Sequence, residues 1–243
     1  MKPVQSLQRG LEILKIVNES GGGRIRDIQA LTDLPKPTIV RLVKTLVEAG
    51  FLKRRESGIY CVGAKVLALS NRYEADAELV EAARPVMDAL REEQTWPSDL
   101  AVFDRDAMVV VDVSVLPGTF SFNRKVGSRL PVLNTSLGRA FLASCQPDKR
   151  REIVEWLTPT GSDPGKAGRL LGYLEEASKR GYAIGDAEYH SNIRSVAVPV
   201  RVGGKPRAAM NMMTVASLMD MDEAVTRFVA ALKDAARSIE LNT

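Results

Sequence analysis

Leu7, Leu11, Leu14 and Val17 recur at steps of four, three and three. That spacing puts an apolar face on one helix, with Ser6 placed to open it as N-cap. Gly21-Gly22-Gly23 ends the helix, because three glycines make its continuation costly. A second short helix turns Ile28 and Leu31 inward and breaks at Thr32-Asp33-Leu34-Pro35, where Pro35 pushes Leu34 out of helical geometry. A third runs from about Lys36 to Ala49 and buries Ile39, Leu42, Val43, Leu46 and Val47. Pro37 suits its first turn, where the missing N–H is not needed. Gly50 closes it, and two extended pieces follow, Phe51–Arg55 and Ile59–Val62, around a Glu56-Ser57-Gly58 turn.

Farther along, residues 64–95 read as helix, with Pro85 expected to kink or restart it. Strands are predicted at Asp99–Asp104 and Met108–Val115 around an Arg105-Asp106 turn, with another near Phe120–Phe122 before a Gly127–Pro131 loop. Helices are predicted at Thr135–Ser144, Lys149–Leu157 and Lys166–Arg180. A hairpin of Ile193–Arg201 and Arg207–Val215 turns at Gly203-Gly204, and an amphipathic helix closes the chain at Asp222–Leu241. The class is α+β.

Charge sharpens this picture. Residues 1–63 carry 11 Lys and Arg against 6 Asp and Glu, and the rest of the chain's 34 and 30 leave 23 against 24 for the remaining 180 residues. The excess positive charge therefore belongs to the first quarter, as expected when a small domain meets a polyanion and a larger one does not. Three short helices and a basic hairpin make a winged helix-turn-helix, whose third helix enters the major groove by its N-terminal half. Arg41 and Lys36 are the candidates for base edges. Thr38, Lys44, Arg54 and Arg55 are candidates for phosphates. Pro37 and Val40 share the exposed face, and Lys53 is either a phosphate contact or a solvated charge. A packing or protein-docking module would show similar periodicity; the basic polar face and wing favour double-stranded DNA.

Other classes find little support. With 45% hydrophobic residues the chain can build a core. No run of ~18 apolar residues suggests a membrane span, and Arg9, Glu12 and Lys15 interrupt any signal-like stretch. Cys61 and Cys145 are too few for a disulfide framework, so a cytoplasmic location is expected. His190 is the single histidine, and no nucleophile elbow, phosphate loop or dinucleotide fingerprint occurs. No enzyme, metal or cofactor is therefore expected. Cys145 reads as packing and His190 as a solvated loop residue.

Several segments in order resemble the IclR family of bacterial regulators. They are Ser6-Leu7-Gln8-Arg9-Gly10-Leu11-Glu12-Ile13-Leu14, then Leu34-Pro35-Lys36-Pro37-Thr38-Ile39-Val40-Arg41-Leu42 and Leu46-Val47-Glu48-Ala49-Gly50-Phe51-Leu52. Farther on come Gly127-Ser128-Arg129-Leu130-Pro131, Gly138-Arg139-Ala140-Phe141-Leu142-Ala143 and Ser195-Val196-Ala197-Val198-Pro199-Val200. The resemblance implies a winged helix-turn-helix at 1–63, a helical linker at 64–75 that helps pair subunits, and a GAF-like α/β effector-binding domain at 76–243. It also implies homodimers or homotetramers and, with one recognition helix per subunit, an inverted-repeat operator. Trp96-Pro97-Ser98-Asp99, Asp106-Ala107-Met108-Val109-Val110 and Phe122-Asn123-Arg124 are similar to the branch that activates catabolism of 3-(3-hydroxyphenyl)propionate and related aromatic acids.

The same resemblance places a small-molecule pocket at Ser136, Leu137, Ser195, Asn211 and Met213. Ser136 and Leu137 begin a helix whose N–H groups suit a carboxylate. Arg124, Arg129 and Arg194 are set aside as solvated or structural, and Gly185 is read as a pocket loop position. A constitutive DNA-binding protein whose second domain only oligomerises is the alternative. Three positions depart from the family pattern. Arg24 stands where a hydroxyl would cap the second helix, and Asp33 and Asn192 replace turn glycines.

Overall fold

The computed structural model describes residues 2–69, 76–114, 124–159, 161 and 163–243. The chain forms two compact units, Met1–Ala75 and Asp76–Thr243.

The first unit comprises α1 (Gln5–Glu19), α2 (Ile25–Ala30), α3 (Lys36–Glu48) and a hairpin of β1 (Leu52–Arg54) and β2 (Tyr60–Val62). Its core is Ile13, Val17, Ile28, Ile39, Val43 and Leu52. The expected α1 stripe is therefore rotated. Ile13 and Val17 face inward, while Leu7 and Leu11 are 62% and 55% exposed. Gly10 lies near Leu42 of α3, and a Cβ there would stand at an ordinary contact distance of 3.9 Å from it. Leu31, expected inside, follows the last residue of α2 and is exposed. Val4, not Ser6, is the N-cap of α1, and it makes no side-chain cap bond.

Arg24 makes no side-chain cap bond either, but its N–H donates to Asp27 Oδ2 at 2.9 Å, so α2 keeps half of a capping box. That bond holds the Asp27 carboxyl below its usual pKa. The glycine run does more than end α1. Gly23 exchanges two 2.9 Å backbone hydrogen bonds with Tyr60, tying the wing to the α1–α2 turn. Gly22 has φ +120°, and a Cβ there would lie 2.9 Å from the Tyr60 carbonyl oxygen. Ala64–Leu69 is a 3-10 helix, not the expected start of a continuous helix. Lys65 fastens it to the first unit by donating to the Ala49 carbonyl at 3.0 Å.

The second unit begins with α4 (Ala77–Gln94), which runs through Pro85. It continues with β3 (Ser98–Asp104), β4 (Ala107–Val113), β5 (Arg129–Pro131), α5 (Ser136–Ser144), α6 (Pro147–Leu157), α7 (Pro164–Arg180), β6 (Ala183–Asp186), β7 (Ile193–Val202), β8 (Lys205–Val215) and α8 (Met221–Leu241). The six strands form one antiparallel sheet in the order β5-β4-β3-β8-β7-β6. The strand expected near Phe120–Phe122 lies outside the described residues. Two strands went unforeseen, β5 in a presumed loop and β6 at the opposite edge of the same sheet; three and four residues are too short to show a period.

Helices cover both faces of the sheet. Met87, Leu90, Phe228 and Leu232 from α4 and α8 pack with Val196, Val198, Met210 and Met212 on one side. Leu137, Phe141, Val154 and Leu174 from α5–α7 pack with Ala101, Ala197 and Ala209 on the other. Strand alternation thus sends Met210 and Met212 to one core and turns Asn211 and Met213 to the α5 side. Among the described residues, positive φ outside glycine occurs at Asp76, Thr95, Arg105 and Ala187. Asp33 and Asn192 therefore adopt ordinary backbone geometry and need no left-handed tolerance.

Candidate functional site

Helix α3 presents Lys36, Pro37, Val40, Arg41 and Lys44 as exposed side chains, with Thr38 half-buried. Pro37, Val40, Arg41 and Lys44 follow i, i+3, i+4, i+7 and so share one face. Val40 is 44% exposed, an apolar spot among cations that could meet a thymine methyl group. Lys44 lies 3.7 Å from Glu48 in an exposed i,i+4 pair, which water screens. On the wing, Leu52 is buried while Lys53 and Arg54 point out, and Arg55 lies in the turn. The Arg54 guanidinium stands over the Tyr60 ring at 5.9 Å. The first unit thus gathers every expected DNA-facing residue on α3 or the wing.

The second unit contains a cleft at the start of α5. Thr135 caps the helix by accepting from Gly138 N at 3.3 Å and donates to the Pro131 carbonyl at 2.6 Å. The helix can begin there because Gly138 has no side chain: a Cβ would lie 2.1 Å from the Val132 carbonyl oxygen. Ser136 donates to the Ser195 hydroxyl of β7 at 2.8 Å. Gly185, on β6 and not in a loop, faces both; its Cβ would stand 2.9 Å from Ser195 Oγ and 3.4 Å from Ser136 N. Asn211 accepts from the backbone N–H of Asp99 at 3.0 Å. Ser136, Leu137, Ser195 and Asn211 all line the cleft, and the N–H groups of the first turn lack intrahelical acceptors. Met213 does not line it. Its sulfur lies 3.0 Å from Nη1 of Arg124, which does line it.

Several lining residues were not foreseen: Arg124, Asn134, Glu188, Tyr189, His190 and Ile193. Arg124 is the main correction. Its Nη1 donates to the buried Asp99 Oδ2 at 2.6 Å, and its side chain is 12% exposed. Burial raises the Asp99 carboxyl pKa and Arg124 opposes that rise. Arg129 and Arg194, set aside together with Arg124, do serve structure: Arg129 pairs with Asp104 and Asp106, and Arg194 with Asp186. His190 is exposed, as expected of a loop residue, but it sits on the rim, where burial and Arg124 lower its pKa. Glu188 is held by Arg139. The Phe122-Asn123-Arg124 motif contained the signal for Arg124, but only folding could aim it.

The central cavity measures about 20 Å³, room for about one water, within a recess of about 340 Å³ that includes open solvent. A larger hollow of about 540 Å³ lies beside α7 and shares Asn134 and Glu188 with the cleft. Size favours the second hollow and chemistry the first. The hollow's Arg139 and Arg169 are already paired with Glu188 and Asp163 and Lys166 is its other cation, whereas the cleft joins the start of α5 to Arg124, whose Nε no described residue engages. Cys145 is buried, and burial pushes its thiol pKa up, away from the reactive thiolate. Among the described residues no helix is long and apolar enough to cross a membrane, and no group of three or more His, Cys, Asp or Glu could hold a metal ion.

Residues 6–56 match the IclR helix-turn-helix domain, and residues 71–241 match the bacterial transcriptional regulator IclR C-terminal domain. The chain belongs to the IclR family, whose members are DNA-binding transcriptional regulators that respond to small-molecule effectors. It is 26% identical to the Pca regulon regulatory protein of Pseudomonas putida, over 96% of this chain and 82% of that protein. It is also 26% identical to the transcriptional repressor IclR of Escherichia coli, over 98% and 89%. An IclR homologue from Microbacterium hydrocarbonoxydans, solved in complex with 4-hydroxybenzoate, superposes with a TM-score of 0.74 at 25% identity, covering 98% of each chain.

Proposed function

We propose that this regulator controls a catabolic operon from the cytoplasm and senses an aromatic carboxylic acid, without catalysing a reaction. The carrying observation is the cleft, where the α5 N-terminus, the Ser136–Ser195 hydroxyl pair, Asn211 and Arg124 converge on a space free of an unpaired acid. Helix N-terminal N–H groups and a guanidinium both favour a carboxylate. A phenolic hydroxyl has partners in Ser195 and Asn211, and Leu137 supplies apolar wall. The relative bound to 4-hydroxybenzoate and the Pca regulon relative support the aromatic class, as do the motif matches to the hydroxyphenylpropionate branch. Because the resting cavity holds about one water, side chains must give way on binding.

On the DNA side, Arg41 and Lys36 read base edges beside Val40 and Pro37, while Thr38, Lys44, Lys53, Arg54 and Arg55 hold phosphates. One recognition helix per subunit calls for a symmetric homo-oligomer on an inverted repeat, and the exposed Leu7–Leu11 face of α1 supplies apolar surface for pairing. The division of labour is winged helix at 1–63, linker at 64–75 and effector domain from 76 onward.

The test is Ser195→Leu. It fills the cleft, abolishing binding of the acid while leaving operator affinity intact, with calorimetry and a DNA-shift titration as readouts. Undiminished acid affinity removes Ser195 from the site. A wild-type protein that binds glyoxylate alone sinks the aromatic reading, and one that binds no acid leaves the second unit as an oligomerisation domain.

A further inference from the structure

Two arginines of the second unit, Arg91 and Arg150, are buried and heavily engaged. Arg91 donates through Nε to Ser98 Oγ, through Nη1 to Asp88 and through Nη2 to Asp112 and the Ser98 carbonyl. Arg150 closes the end of α5 through Nε to the Leu142 carbonyl and through Nη2 to the carbonyls of Ala143 and Cys145. Arg124 differs. One nitrogen, Nη1, meets Asp99 and the Met213 sulfur, and its buried Nε has no acceptor among the described residues. A guanidinium carries five donors in a planar fork, and an unmet buried donor is costly in a low-dielectric site. This side chain also lines the cleft beside Ser136, Ser195 and Asn211.

We propose that Arg124 is the cation that receives the effector's carboxylate, with the Nε that no described residue engages among its donors. The inference rests on the reading of the cleft as an effector site and names its charge-bearing contact. Asp99 holds Nη1 and is a positioning residue: it fixes the guanidinium where Arg124 lines the cleft together with the first turn of α5. The ligand class follows. A planar carboxylate satisfies two parallel N–H donors at once, whereas an amide or alcohol of the same skeleton satisfies them less well and brings no charge.

Calorimetry on the full chain with 4-hydroxybenzoate, 3-(3-hydroxyphenyl)propionate and the uncharged 4-hydroxybenzamide tests this. Arg124→Gln should weaken acid binding by about 10- to 100-fold. Benzamide affinity should change by less than about threefold, because only the charge-assisted bonds are lost. Arg124→Lys, which keeps the charge without the fork, should recover part of the acid affinity. Removing Arg124 leaves Asp99 buried without its partner, so the pair Arg124→Gln with Asp99→Asn provides the same comparison in a chain free of that penalty. An unchanged acid-over-amide ratio in either Gln variant overturns the assignment while leaving the effector reading standing. A wild-type protein that binds the acids and the amide alike also overturns it. One that binds none of the three sinks the aromatic-effector reading and this inference together.

Discussion

The two units handle polar groups in opposite ways. Among the described residues, every buried polar or charged side chain belongs to the second unit: Arg91, Ser98, Asp99, Asp112, Thr135, Ser136, Arg150, Ser195, Asn211 and Thr214. The first unit keeps its cations on the surface and even exposes leucines, at Leu7, Leu11 and Leu31. A surface that meets a polyanion needs charge in water, where long-range attraction acts and counterions can be released. A cleft that discriminates between small molecules needs donors held out of water, where a wrong ligand leaves them unpaired.

That contrast can be broken most severely at the buried ion pair. Asp112→Ala leaves Arg91, among the described residues, with the exposed Asp88 as its remaining ion-pair partner and the buried Asp99 nearby, and should cost about 3 kcal/mol or more of stability by denaturant unfolding. A cost near that of an ordinary surface substitution would show that the second unit does not depend on its buried charges. Within the first unit, Ile13→Ala and Leu11→Ala form a matched pair. The core residue should cost about 2–4 kcal/mol. The exposed one should stay within about 0.5 kcal/mol in unfolding and instead weaken self-association in sedimentation. Equal costs would contradict the rotated face of α1.

At the DNA surface, Arg41→Ala should lose about 1–3 kcal/mol on the cognate operator and less on random duplex. If the cognate-to-random ratio is unchanged, Arg41 reads no base. The smallest effect concerns pH. Burial and Arg124 hold His190 below its ordinary pKa, so over that range the folded chain binds fewer protons than the unfolded chain. The resulting increment of stability is present above the ordinary histidine pKa and is lost as pH falls through the lowered folded value. Melting temperatures measured at about pH 7.5 and 5.5 should therefore fall slightly less in His190→Asn than in the wild type. A larger fall in the variant would reverse the sign and place His190 beside an anion.

How much was legible follows from which interactions are local. Periodicity over nine or more residues placed α1, α3, α5 and α8 and the β7–β8 hairpin, because those patterns repeat along the chain. It mis-set the inward face of α1, since two apolar stripes share that helix and only packing against α3 chooses between Leu11 and Ile13. It read 64–95 as one helix, whereas residues 64–69 are pinned to Ala49 by Lys65, a contact sixteen positions distant. Arg24 and Asp33 looked like departures that soften turns. In the structure Asp27 supplies half of the missing cap, and Asp33 needs no positive φ.

By itself, the sequence determined the family, the division of charge between a basic first part and a neutral remainder, and the cationic face of α3, because each depends on residue type and short-range spacing. Tertiary structure alone decided the cleft. Ser136 and Ser195 are fifty-nine positions apart, and Arg124 and Asp99 twenty-five, yet each pair is in hydrogen-bond contact. Gly185 and Gly138 matter because of what lies within 3 Å of their missing Cβ atoms, which no local pattern encodes. Whether an arginine is a solvated charge, a strut or an open hand for a carboxylate depends on which acceptors the fold brings to its five donors. That is a property of the sheet and the helix it supports, and here it separates Arg124 from Arg91, Arg129 and Arg194.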